Sequence, residues 1–156
     1  MAWWRSWRHR ARKARELSWR DWWVIARARF WMAVSWFGLR LAGFERTRRW
    51  LAGRAPAAGA RREVTSDEVQ RLVFLIGVAA RAGFTRHTCL PRSLVLQRFL
   101  VHRGLPAVLR IGVRREGGQL AGHAWVEVAG QAVGEPEDVQ ARFVPLLTGE
   151  EQPARG

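Results

Sequence analysis

After Gly104 the apolar residues change period. Before it they recur at the three- and four-residue spacing of helices; beyond it they alternate with polar ones. Val69, Leu72, Val73, Ile76 and Ala80 line one face of a helix predicted over 66–82. Thr65 and Glu68 open that helix with capping-box spacing, and Gly83 closes it. The apolar run 94–101 has Pro91 just inside its start and Gly104 past its end, which predicts a helix over 90–103 with Cys89 at its N-terminus. Leu109, Ile111 and Val113 then alternate with Arg110, Gly112 and Arg114, as in a half-buried strand. Residues 115–119 have the composition of a hairpin loop. In the next strand, 122–128, His123, Trp125 and Glu127 share one face and Ala124, Val126 and Val128 the other. Ala129-Gly130 turns the chain into a short third strand, 131–135. Two helices followed by an antiparallel meander make an α+β domain with the Cys89 helix laid on the sheet.

The chain's 156 residues suffice for one domain, or one small domain with an extension. Its net charge of +14 is unevenly placed: residues 1–63 hold 16 Lys/Arg against 4 Asp/Glu, and residues 64–156 hold 11 against 9. Nine of the ten tryptophans precede residue 51. The expected division is a Trp/Arg-rich helical extension and linker over 1–63, with 54–62 as the linker, and the α+β domain over 64–156. The uncharged stretch 30–39 is bracketed by Arg27, Arg29 and Arg40, too short for a spanning helix of about 20 apolar residues. Packing of this half against the second ranks first, and a peripheral contact with a membrane or partner protein ranks second. Nucleic acid is not expected, since the basic residues form no stripe and accompany no nucleic-acid motif. A single cysteine excludes an internal disulfide, no Cys/His cluster has zinc spacing, and the arginine-rich N-terminus does not read as a secretory signal. A cytoplasmic protein follows, membrane-associated on the second reading, with no metal and no cofactor.

The chemistry converges on Cys89. Unpaired amides and the positive end of the helix dipole would face its sulfur and favour the thiolate. In the meander, His123 near the start of one strand and Glu135 at the end of the next lie near one edge. A histidine beside a thiol accepts its proton, and a carboxylate behind the histidine steadies the imidazolium. His87 competes as the base, and Glu137 and Asp138 compete as the acid. Glu127 lies too far along the strand from His123. His9 and His102 read as surface residues.

Cys89-Leu90-Pro91-Arg92-Ser93-Leu94, Gly104-Leu105-Pro106-Ala107, Leu109-Arg110-Ile111-Gly112-Val113 and Gly122-His123-Ala124-Trp125-Val126-Glu127-Val128 occur in that order, with Gly130 after them. Together, over residues 66–147, they resemble the transglutaminase-like leader peptidase of lasso-peptide biosynthesis. The resemblance implies a papain/transglutaminase-type cysteine protease that removes the leader of a ribosomally made precursor peptide. By position, Cys89 would be the nucleophile and His123 the base. Glu135 stands about where the family usually has aspartate. It also implies three partners: the precursor's leader, a RiPP recognition element supplied here as a separate protein, and the lasso cyclase that receives the core peptide. Trp125 and Glu127 are assigned to packing and orientation. An acyl transferase of the same fold and a non-enzymatic basic/aromatic adaptor are the alternatives.

Overall fold

The computed structural model describes residues 17–52, 64–81, 89–136 and 138–146. The described chain runs through four helices, α1 (Trp19–Leu41), α2 (Phe44–Ala52), α3 (Ser66–Arg81) and α4 (Cys89–Val101). Strands β1 (Ala107–Glu116), β2 (Gln119–Val128) and β3 (Gln131–Val133) follow, then a single turn of helix, α5 (Val139–Arg142), and strand β4 (Val144–Pro145). The sheet is antiparallel in the order β3-β2-β1-β4. This is the expected α+β class, with helices on a small sheet. The predicted linker 54–62, residues 82–88 between α3 and α4, and the arginine-rich N-terminus before Leu17 lie outside the described residues.

Local chemistry sets the helix starts. At α3 the Glu68 amide donates to Thr65 Oγ1 (3.3 Å) and the Thr65 amide to Glu68 Oε2 (3.2 Å), closing the expected capping box. A second box opens α1, where the Ser18 amide donates to Asp21 Oδ2 (2.8 Å) and the Asp21 amide to Ser18 Oγ (3.4 Å). In α4, Pro91 falls in the first turn, where the missing amide leaves no bond unmade. Between strands, Glu116 pairs Gln119 and Val128 pairs Gln131, so both hairpins turn on two residues. Gly117-Gly118 and Ala129-Gly130 all have positive φ, the backbone of a type I′ turn. The loop expected over 115–119 therefore shrinks to two residues, and both flanking strands lengthen.

One core joins the two halves of the chain. Ile25 and Ala28 of α1 and Leu51 of α2 are buried in the same cluster as Leu75 and Ile76 of α3, Leu94 and Leu100 of α4, and Leu109 and Val126 of the sheet. Gly38 allows α2 to approach α1 closely, since a Cβ there would stand 2.9 Å from Thr47 Oγ1. The compositional break after residue 63 is thus not a break in packing: α1 and α2 contribute to the interior on which α4 rests.

The same contact has an ionic part. Arg71 of α3 donates from Nη2 to Asp21 Oδ2 (2.6 Å) and from Nε to Oδ1 (3.0 Å), a two-pronged bond to a buried carboxylate. The Arg71 bonds, helped by Ser18, lower the Asp21 pKa from 3.8 to about 2 against the opposing effect of burial. A carboxyl held low in the folded state stabilises it above its ordinary pKa, and that stabilisation is lost as pH falls through the folded value. Allowing for screening at half-exposed Arg71, Asp21→Asn should lower unfolding stability by about 1–2 kcal/mol at pH 7. The deficit should shrink between about pH 4 and pH 2. Urea titrations of both proteins across that range would check it, and a deficit independent of pH would contradict the ionic account.

Candidate active site

Cys89 opens α4, half-buried, and the next turn of that helix reaches the sheet. Three and four residues after Cys89 stand Arg92 and Ser93, which one helical turn brings onto the same face. Ser93 Oγ, buried, donates to the carbonyl of Ala124 on β2 (2.8 Å). Arg92 Nη2 donates to Glu135 Oε1 in a charge-assisted bond. The helix face that carries Cys89 is therefore fastened to the strand that carries His123 and to the acid beside it.

His123 Nε2 lies 3.0 Å from Glu135 Oε2, the two residues that the meander predicts near one edge. Glu135 itself is two residues beyond β3, which ends at Val133 and not at 135. The strand stops because Gly134 has φ +76° and lies against α3; a Cβ there would stand 2.4 Å from Val73 Cγ1. Helix α3, which packs on the Cys89 helix, also backs the loop that aims Glu135. The carboxylate side chain is 9% exposed and the imidazole 22%. An ionised carboxylate only accepts, so Nε2 carries the hydrogen and Nδ1 keeps the lone pair. Such a dyad can take a proton from a thiol at Nδ1 while the carboxylate stabilises the resulting imidazolium.

Aromatic rings hold the imidazole in place. Trp125 is near-parallel to His123 (16° between planes, centroids 6.2 Å apart), and Phe143 lies 5.2 Å away on the segment between α5 and β4. Gly112 pairs with His123 in the β1–β2 register. A Cβ at Gly112 would stand 2.9 Å from Trp125 Cζ3 and Cη2 and from Phe143 Cβ, so only hydrogen fits beneath these rings.

Glu127 on the His123 face is committed elsewhere. It accepts from Trp125 Nε1 (2.9 Å), Gln140 Nε2 (2.7 Å) and Arg110 Nε (3.0 Å). Burial works to raise its pKa, but the three donors together outweigh burial and hold it below the usual carboxylate value. Asp138 is not brought to His123. Its carboxylate is 60% exposed and 3.6 Å from Arg142. His87 and Glu137 lie outside the described residues. Arg92, Ser93 and Phe143 went unassigned in the sequence. The spacing of Ser93 from Cys89 was a usable sign, whereas Phe143 had none, because β4 is a pair of residues without periodicity.

A family model described as the transglutaminase-like superfamily matches residues 30–148. No curated protein and no solved structure matches the chain.

The crowding at Gly112 has a measurable result. Gly112→Ala should destabilise the fold by about 1–3 kcal/mol, since the methyl displaces Trp125 or Phe143 from a filled site. Denaturant unfolding would check this, and a variant as stable as the wild type would show that the rings yield freely.

Proposed function

The chain belongs to the transglutaminase-like superfamily, whose members are commonly cysteine peptidases or acyltransferases, and from that premise we propose that it is the leader peptidase of a lasso-peptide pathway. The observation that carries the reading is the chain of contacts from the Cys89 helix through Arg92 to Glu135 and on to His123. Cys89 is the nucleophile, His123 the base and Glu135 the acid that orients it. The Gly122-His123-Ala124-Trp125-Val126-Glu127-Val128 motif and the Cys89-Leu90-Pro91-Arg92-Ser93 motif support the narrower assignment to leader removal.

In this mechanism His123 Nδ1 takes the thiol proton, and the Cys89 thiolate attacks the carbonyl at the leader–core junction. The negative oxygen of the tetrahedral intermediate meets amides of the first α4 turn, which have no partner within the helix. The imidazolium then protonates the departing amine, the C–N bond breaks, and a thioester joins the leader to Cys89. His123 deprotonates a water that attacks the thioester, releasing leader acid and restoring the thiol. A separate recognition protein presents the leader, and a cyclase receives the core peptide. Peptide and recognition protein meet the enzyme in the cytoplasm on this reading.

Mass spectrometry of a lasso precursor incubated with the protein and its recognition element should show cleavage at one junction. Cys89→Ala should abolish cleavage while remaining folded, and His123→Ala should do nearly the same. Glu135→Ala should slow turnover by about 10²–10⁴-fold and leave residual activity, as loss of an orienting acid does. Asp138→Ala should leave the rate unchanged. Cleavage by a folded Cys89→Ala protein would overturn the proposal, and amine-coupled products in place of the free leader acid would make the enzyme an acyl transferase.

A further inference from the structure

Helix α1 turns an aromatic stripe to solvent. Trp19, Trp22, Trp23, Phe30, Phe37 and Leu41 are 54% to 84% exposed. At 100° per residue they fall within about 100° of arc and run along a helix about 34 Å long. The opposite face of α1 holds the buried Asp21, Ile25, Ala28 and Ser35, so the helix is docked on the core by one side and apolar on the other.

The charges follow the stripe on both sides. By the same helical arithmetic, Arg20 and Arg27 flank one edge and Arg29 and Arg40 the other, all exposed. The one acid of α1, Asp21, is buried on the far face against Arg71. Beside the Arg27 edge lies a cleft of about 310 Å³, lined by Val24, Arg27, Arg98, Phe99, His102 and Arg103, with no carboxylate among the described residues of its wall. Arg98 is fixed there by the Trp31 ring, 3.8 Å from its guanidinium, and by its bond to the Leu51 carbonyl (3.1 Å).

We infer that α1 lies in the plane of an anionic phospholipid bilayer, its aromatic stripe at the headgroup–acyl boundary and its arginines, with the adjoining cleft, on lipid phosphates. This inference does not depend on the peptidase reading. Tryptophan and phenylalanine favour that boundary, and arginine stems reach from it to the phosphates. Among the described residues no helix is long and apolar enough to cross a membrane, so the contact is in-plane. A partner helix would call for a narrow Leu/Ile seam with charges of both signs at its edges. A second copy would set arginine rows against arginine rows, and the segment preceding Leu17 is itself basic.

The test is co-sedimentation of the full chain with phosphatidylcholine vesicles, with and without phosphatidylglycerol. Binding should be about tenfold or more tighter to the anionic vesicles and should weaken in high salt. The triple variant Trp23→Gln, Phe30→Gln, Phe37→Gln should bind about tenfold or more weakly, because three aromatic anchors are lost. Its circular dichroism and its rate of Cys89 alkylation should match the wild type. Arg29→Glu with Arg40→Glu leaves the stripe intact and should abolish the preference for anionic vesicles. No sedimentation with anionic vesicles, equal binding to both vesicle types, or unchanged binding by both variants would overturn the inference. So would a wild-type dimer, without vesicle binding, that the triple variant cannot form.

Discussion

Both oxygens of Glu135 are engaged, and by different layers of the fold: Oε1 accepts from Arg92 on α4, and Oε2 faces His123 on β2. A carboxylate held by two donors has little freedom to rotate, so the position of the imidazole is tied to the position of the Cys89 helix. Ser93 adds a second tie to the same strand, one residue from His123. Helix and strand are registered by polar bonds near the candidate chemistry, while apolar burial holds them together elsewhere. Gly134 against Val73 brings α3 into the arrangement, so three separate elements bear on a single carboxylate.

With 27 Lys/Arg against 13 Asp/Glu, most cations of this chain cannot find a carboxylate. Aromatic rings take up part of the excess. Arg98 lies over Trp31, and Arg27 lies near Phe99. A guanidinium is weakly hydrated and planar, so it stacks on a ring at less desolvation cost than an ammonium would incur. This explains how helices so rich in arginine pack without a matching set of acids, and it fits a chain in which lysine is nearly absent.

The helical and alternating periods made α3, β1 and β2 legible, while α4, which packs on the sheet and on α1, α2 and α3 together, was marked by Pro91 and Gly104 at its ends. The capping box at Thr65 and Glu68 was readable for the same local reason. α1 was harder. Ile25 and Ala28 on its buried face are matched by larger apolar residues on its exposed face, so hydrophobicity alone does not say which side points inward. The separation of 1–63 from the rest followed charge and tryptophan content, which report on surface and leave the shared core unseen. At the site, His123 and Glu135 followed from strand order. Arg92 did not, since an arginine in the first turn of a helix reads as a solvated charge until its long-range partner is known. Phe143 and β4 depend on tertiary contact entirely.

The turn at Ala129-Gly130 reaches further than its size suggests. Ala129 has φ +51°, a conformation costing a non-glycine residue about 1–2 kcal/mol. The turn nevertheless keeps the connection at two residues and pairs Val126 with Val133. Side chains alternate faces at every step of a strand, so an added or deleted residue here would move Val133 to the opposite face and shift Glu135 along the sheet edge. Length is what this hairpin must conserve first. Relatives of this chain can thus be expected to draw the two residues between Val128 and Gln131 from the few, Gly, Asn and Asp above all, that accept a positive φ, while almost never gaining or losing one.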